Sequence, residues 1–318
     1  MSNLIQHFGD AGVLYIIFGI TLIFSLLLDA GVLQRSFKPM SLKSASVQTV
    51  CWISLAIAYG FLISHYRDTE KGLQYYSAYL MEYSLSADNL FVFILILNYF
   101  NISDLYYHKV LFYGIICAVI FRLIFILAGI EMVNNFHWIL YFLGGVLIYS
   151  GIKILLSGSD QKFNPDKNII YKFLHRYFPM VKHEGEGNFT IYENGKKYYT
   201  VLFVVIILIA STDLVFAIDS IPAVFAISQD RLVIITSNIF AVMGLRAMFF
   251  LLKGFADKFD YLQEGISVVL IFVGAKMLLE IFDIRISTHW SLLVIVLVLT
   301  AAIVVSLLKN RTSKIQGK

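Results

Sequence analysis

The chain carries little charge for its length. Only 14% of its 318 residues are Asp, Glu, Lys or Arg, against roughly a quarter in soluble proteins. That excludes the pair of ordinary soluble domains that length alone would suggest. Cysteine is scarcer still. Cys51 and Cys117 each lie inside an apolar run, with no CxxC and no disulfide framework, and read as small apolar fillers. The seven histidines, His7, His65, His108, His137, His175, His183 and His289, all fall in loops or at the ends of apolar runs. With no buried thiolate pair either, zinc and copper are disfavoured. The net charge is a mild +4 and the basic residues do not gather on one face, so no nucleic-acid partner is expected. No Lys or Arg precedes the first apolar run, about 13–33. That run exceeds a signal h-region and lacks an A-x-A-like site, so a first membrane helix is expected rather than a cleaved leader.

What the chain does have is apolar length: 59% of its residues are hydrophobic. A hydrocarbon core of about 30 Å takes about 20 such residues per helix. Nine spans are expected, at roughly 12–33, 47–64, 75–99, 106–128, 136–156, 200–227, 231–252, 263–282 and 289–308. The fold class is therefore an all-α polytopic membrane bundle. Basic and basic-poor loops alternate along the chain. Arg35, Lys38 and Lys43 mark one side, as do the seven Lys and Arg of loop 157–199 and the Lys309, Arg311, Lys314, Lys318 tail. The positive-inside rule then puts the N-terminus outside and the C-terminus in the cytoplasm of an inner membrane. Loop 157–199 is too short for a catalytic domain, so no enzyme is expected. Alternating apolar positions around Asn194-Gly195 suggest a two-residue β-hairpin there.

Three features recur in order. Ser86-Ala87-Asp88 returns as Ser211-Thr212-Asp213, Arg122 after Ala118-Val119 returns as Arg246 after Ala241-Val242, and Gly151-Ile152-Lys153 returns as Gly274-Ala275-Lys276. The unit is three spans, an odd number, so the second copy is inverted. The chain divides accordingly into a two-helix start (1–74), a first repeat (75–156), the loop (157–199), a second repeat (200–282) and a last helix with its tail (283–318). Inverted repeats are a plan of secondary transporters, with the site near mid-membrane where the copies meet.

An ionised carboxylate at a helix centre in a bilayer costs at least ~2.5 kcal/mol, so it is paired, protonated or bound to a cation. Span three carries Glu82, Ser86, Asp88 and Asn89; span six carries Ser211, Asp213, Asp219 and Ser220. Glu82, Ser86 and Asn89 share one helix face by their spacing. Asp213 and Asp219 are about 120° out of register in a straight helix, and converge only where span six bends; Pro222 permits that. The candidate metal ligands are Glu82, Asp88, Asn89, Asp213, Asp219 and Ser220. Ser86, Ser211, Asp29, Arg122, Arg246 and Lys276 are supporting residues, the two arginines and Lys276 as structural pairing or as charge balance for an ion-free site. Oxygen donors suit the hard divalent class, Mg²⁺, Ca²⁺ or Mn²⁺. The ion is cargo, and no cofactor is expected.

These segments resemble a known family. Residues Glu82-Tyr83-Ser84-Leu85-Ser86-Ala87-Asp88-Asn89 are similar to the first signature of the TerC family of integral membrane proteins, and Thr212-Asp213-Leu214-Val215-Phe216-Ala217-Ile218-Asp219-Ser220 to its second. Thr236-Ser237-Asn238 through Arg246-Ala247 is also similar, and the likeness, closest to the Alx type, runs from about 12 to 308. The resemblance implies metal homeostasis, with Mn²⁺ export from the cytoplasm favoured and a link by name to tellurium resistance. Its acidic motif residues carry over onto Glu82, Asp88, Asp213 and Asp219. One departure is Ala210, where many members have Glu; a candidate ligand is missing and the ion's identity stays open. The expected activity is divalent-cation export by alternating access, driven by proton or sodium exchange. Two alternatives stand: a transporter of another cationic solute, or a non-transporting membrane scaffold in the metal and tellurium stress response.

Overall fold

In lipid every backbone N–H and C=O must be satisfied within the protein, and a helix does this inside a single segment. The structure, a computed structural model, is helical almost throughout. It describes residues 2–35, 41–136, 138–157, 169–193, 195–253, 261–282, 284 and 286–316. The side chains of Asp29, Asp88 and Asp219, on helical backbone, lie outside the described residues.

The helices are α1 (Ser2–Arg35), α2 (Leu42–Tyr66), α3 (Thr69–Tyr99), α4 (Tyr107–Asn135), α5 (Ile139–Ser157), α6 (Ile169–Tyr177), α7 (Val201–Ile227), α8 (Arg231–Met243), α9 (Leu245–Lys253), α10 (Leu262–Leu279) and α11 (Thr288–Gln316). Short polar residues set several starts by taking up orphan N–H groups. Ser41 caps α2 through Ser44 N, Asp68 caps α3 through Lys71 N, and Asp230 caps α8 through Leu232 N and Val233 N. By length and hydropathy, three stretches among the described residues qualify as membrane spans: Leu42–Tyr66, Asp104–Val133 and Arg231–Lys253. A fourth qualifies if α7 counts as one span, since it bends by 41° between Val201–Ala217 and Ser220–Ile227. Pro222 lies just past that bend and has no N–H to give the carbonyl one turn back. Helix α1 breaks at Gly9 (φ 67), leaving Ala11–Leu27 as its apolar part. The stretch read from sequence as one span at 231–252 qualifies as one span, Arg231–Lys253, with a local turn at Gly244 (φ −72, ψ −15) between α8 and α9.

The connecting segments sort onto two sides. On one, Arg67 and Lys71 reach Asp230 at 3.3 and 3.7 Å, and Ser228 donates to Gln74 at 2.7 Å. Arg231 meets Glu131 at 3.7 Å on the same side. On the other, Lys253 meets Asp104 at 2.7 Å and lies over the Tyr107 ring, and Lys309 lies over the Tyr261 ring. A small subdomain also sits on this second side. It contains α6 and an antiparallel hairpin of β1 (Thr190–Glu193) and β2 (Lys196–Tyr199), paired Glu193 to Lys196 at the turn. Gly195 takes φ 75 there, which costs glycine nothing; Asn194 lies outside the described residues. Lys109 ties this subdomain to α4, donating to the Gly187 carbonyl at 2.7 Å and covering the Phe189 ring.

Helix α8 is the most enclosed: of Leu232–Met243 only Ile235 is not fully buried. The closest helix pair is α5 with α10, and small residues explain it. A Cβ on Gly144 would lie 3.2 Å from the Gly274 carbonyl, and one on Gly274 only 2.7 Å from the Gly144 carbonyl. Backbone cannot yield as a side-chain tip can. Gly274→Leu should therefore destabilise the protein in detergent by about 1–3 kcal/mol or more, the range for an overpacked interior. Gly145, with nothing within 4 Å of its added Cβ, should tolerate Ala without loss. Thermal melting of both variants checks this.

Candidate functional site

Glu82, Arg122 and Asp213 each sit near the middle of their helix, α3, α4 and α7 respectively. None has a reason to be there on hydropathy grounds, and all three are essentially inaccessible to solvent. Packing of α4 on α7 and of α3 on both α7 and α8 brings them together. The Arg122 guanidinium is the hub. Its Nη2 donates to both Asp213 oxygens at 3.1 Å, and Nη1 donates to Asn238 Oδ1 on α8 at 3.0 Å. Nη1 also forms an ion pair with Glu82 Oε1. One cation thus joins side chains from four helices.

The charges at this hub do not balance. Two carboxylates face one guanidinium, and among the described residues no second cation is paired with either acid. With both acids ionised, one negative charge is left over inside the protein, where an uncompensated charge is costly. The hydrogen bonds do not balance either. Glu82 Oε2, Ser86 Oγ, Ser220 Oγ and Asn238 Nδ2 are buried and have no hydrogen-bond partner among the described residues, while Glu82 Oε1 is taken by Arg122. Buried polar atoms are almost always satisfied, and exceptions point to water or an ion that the protein is built to take. Glu82 and Ser86 are one turn apart on α3, with Asn89 buried three residues further along the same face.

Not every polar side chain here is available. Ser211 Oγ donates to the Leu208 carbonyl at 2.9 Å and Thr212 Oγ1 to the same carbonyl at 2.7 Å, so both serve the backbone of α7. Ser84 likewise donates to Leu80. Thr236 and Ser237 do the same on α8, leaving Asn238 as the polar group of that helix that reaches the hub. Arg246 and Lys276 are buried, and each makes an interaction of its own. A cavity lined by Arg246 is otherwise apolar, with Leu22, Phe112, Ile116 and Met243 among its walls. Asp29, Asp88 and Asp219, all candidates from sequence, lie outside the described side chains. Among the described residues no three His, Cys, Asp or Glu form a cluster. Cys51 and Cys117 are free thiols. Ala210, where a Glu was expected from family resemblance, is buried one turn before Asp213.

Asn238 is the site residue that sequence reasoning did not single out. Its signal was there: an amide within a membrane-length stretch, between two hydroxyl residues and an apolar run. That signal says the amide has a partner; it does not name Arg122.

Comparison with known proteins gives a coherent set. The family model described as "Integral membrane protein TerC family" matches residues 67–314. The chain is 42% identical over 286 residues to "Uncharacterized membrane protein STKORF319" of Myxococcus xanthus, covering 90% of this chain and 89% of that protein. It is 36% identical over 297 residues to "Uncharacterized membrane protein RP786" of Rickettsia prowazekii, covering 93% and 99%. It is 34% identical over 294 residues to "Putative membrane-bound redox modulator Alx" of Escherichia coli K12, covering 90% of each. No solved structure matches the chain.

Proposed function

Because the chain belongs to the TerC family of integral membrane proteins, we propose that it is a transporter that exports a divalent metal cation, Mn²⁺ first among them, through the carboxylate site around Arg122. The observation that carries this is the excess acid: among the described residues, two buried carboxylates share one guanidinium, and Glu82 Oε2, Ser86 Oγ and Ser220 Oγ on the same helices have no partner. A cluster that served only to hold helices together would pair charges one to one, because each unmatched buried charge costs stability. A site that must accept a cation and release it needs the opposite, a negative balance held in place by a group that can give way. Arg122 is that group. It neutralises part of the site when no ion is present and yields one carboxylate when an ion arrives.

Carboxylate, hydroxyl and amide oxygens suit hard divalent ions rather than Zn²⁺ or Cu²⁺. Asp88 and Asp219 complete the ligand set, with a proton or Na⁺ as the coupling ion. The packing pattern supports the inverted repeat. Exchanging α3 with α7, α4 with α8 and α5 with α10 leaves the main pairings, α3–α8, α4–α7, α3–α7 and α5–α10, in place. Nine spans follow if α1, α3, α5, α10 and α11 cross the bilayer along with the segments that qualify by composition. The Arg67, Lys71 and Asp230 side is then external and the side carrying α6 cytoplasmic. Both ends are tied by solvent-facing ion pairs. Such pairs hold by only about 0.2–1 kcal/mol each, so either end opens cheaply while the middle stays closed, which is what alternating access requires. The Alx relatives carry a redox description; two unpaired cysteines give this chain no dithiol couple, so a redox effect here would follow from the metal it moves.

The test is flux in proteoliposomes loaded with a metal-sensitive dye, comparing Mn²⁺ with Ca²⁺ and Mg²⁺. Protein-dependent Mn²⁺ movement exceeding the other two is expected. If no divalent cation moves faster than through empty liposomes, this reading is wrong.

A further inference from the structure

Four tyrosines stack along the inner face of α3 and onto α2. The Tyr75 and Tyr79 rings are parallel within 8° at 6.2 Å, Tyr79 and Tyr83 lie at 5.6 Å, and Tyr59 meets Tyr75 at 5.8 Å. Their hydroxyls differ. Tyr59 donates to the Leu14 carbonyl at 3.0 Å, and the neighbouring Tyr76 donates to the Ile57 carbonyl at 2.9 Å. Tyr75 and Tyr79 are 0% and 6% exposed, and neither hydroxyl has a partner among the described residues.

Leaving a buried hydroxyl unmet costs about 1–3 kcal/mol. Phenylalanine would stack as well and avoid that cost, so stacking alone does not account for tyrosine at both positions. Their place on the helix does. Tyr75, Tyr79 and Glu82 are spaced at four and three, on one face of α3. Each turn is about 5.4 Å of depth, so the two hydroxyl-bearing rings step from the site toward the end of α3. At that end Gln74 accepts from Ser228, and Lys71 reaches both Gln74 and Asp230. A polar edge, two unmet phenols and a buried carboxylate therefore follow one another along one helix face.

We propose that the Tyr75 and Tyr79 hydroxyls form a neutral-oxygen subsite that carries a partly dehydrated divalent cation between Glu82 and the face that bears Asp230. This rests on the transport reading above. Neutral oxygens fit the role because a route must bind weakly enough to let the ion leave; a carboxylate on the way would trap it. The phenol oxygens replace part of the hydration shell, and the stacked rings keep them in line.

The experiment is Mn²⁺ flux in proteoliposomes for wild type, Tyr75→Phe, Tyr79→Phe, the double variant and Tyr76→Phe. Each single variant at 75 or 79 should slow flux by about tenfold, the worth of one hydrogen-bond-strength contact to an ion. The double variant should be slower still. Melting temperature should stay at or rise above the wild-type value, since phenylalanine keeps the rings and removes an unmet buried hydroxyl, and equilibrium Mn²⁺ binding should stay at the wild-type level, since Glu82 remains. Tyr76→Phe, whose hydroxyl serves the backbone, should transport normally. Wild-type flux in both single variants overturns the subsite and leaves the transport reading standing. So does an equal loss in Tyr76→Phe. A wild-type protein that moves no cation removes both.

Discussion

Replacing Asp213 with Asn is expected to leave a folded protein that no longer exports divalent cations. Asparagine has nearly the same size and keeps an oxygen for the Arg122 Nη2 donor that Asp213 now accepts twice. The change removes one unit of charge and turns the hub into an even match of Glu82 with Arg122. The site then offers an incoming ion one carboxylate charge fewer. Two unit charges about 4 Å apart at an effective dielectric of about 20 interact by about 4 kcal/mol, and a divalent ion feels more, so affinity should fall by at least about 10³-fold. Mn²⁺ binding to the purified protein, followed by calorimetry, and flux in liposomes check the two halves separately. Export by Asp213→Asn at the wild-type rate would remove Asp213 from the site. A melting temperature near wild type alongside lost flux is the outcome that separates ion handling from helix gluing.

Arg122→Ala should have the opposite profile. It removes the guanidinium between Glu82 and Asp213 and leaves two buried carboxylates with no cation paired to them among the described residues. Breaking a buried pair from one side costs about 3–5 kcal/mol, and here two pairs and the Asn238 contact go together. The variant should melt well below wild type in metal-free buffer. Mn²⁺ should then restore a large part of the loss, because a ligand that binds only the folded state stabilises it in proportion to RT ln(1 + [L]/Kd). Wild type should gain less from the same Mn²⁺, since Arg122 competes for the carboxylates. Arg122→Lys should fall between, because an ammonium keeps the charge but cannot reach three acceptors in fixed directions as the planar guanidinium does. Melting curves with and without Mn²⁺ decide. Destabilisation that metal does not relieve would mean that Arg122 holds helices and the carboxylates have no second partner.

The sequence made the helices legible because membrane helices are written locally. Apolar run length states how much chain can cross the bilayer, and Ser41, Asp68 and Asp230 mark starts by their own hydrogen bonds. It was less informative where the cause was not local. The local turn at Gly244 between α8 and α9 falls inside one span-length stretch, and nothing in the residues beside it marks a helix end. Helix α6 is nine residues long, too short for composition to separate it from the loop around it.

The candidate site divides along the same line. From the sequence alone it follows that Glu82, Asp213 and Arg122 lie at mid-helix among apolar residues, and that Glu82, Ser86 and Asn89 share a face. Transfer free energy belongs to each residue, and helical spacing follows from near neighbours. Only the tertiary structure decided that one arginine takes both acids, across 91 residues to Asp213, with Asn238 across 116. It also decided that Ser211 and Thr212 turn to their own backbone while the hydroxyls of Ser86, Ser220, Tyr75 and Tyr79 have no partner among the described residues. The partner of a buried charge depends on which helices adjoin and how they are rotated. Those are set by side-chain packing over the whole bundle, including the Gly144–Gly274 contact far from the site in sequence, and no short window of residues contains that information.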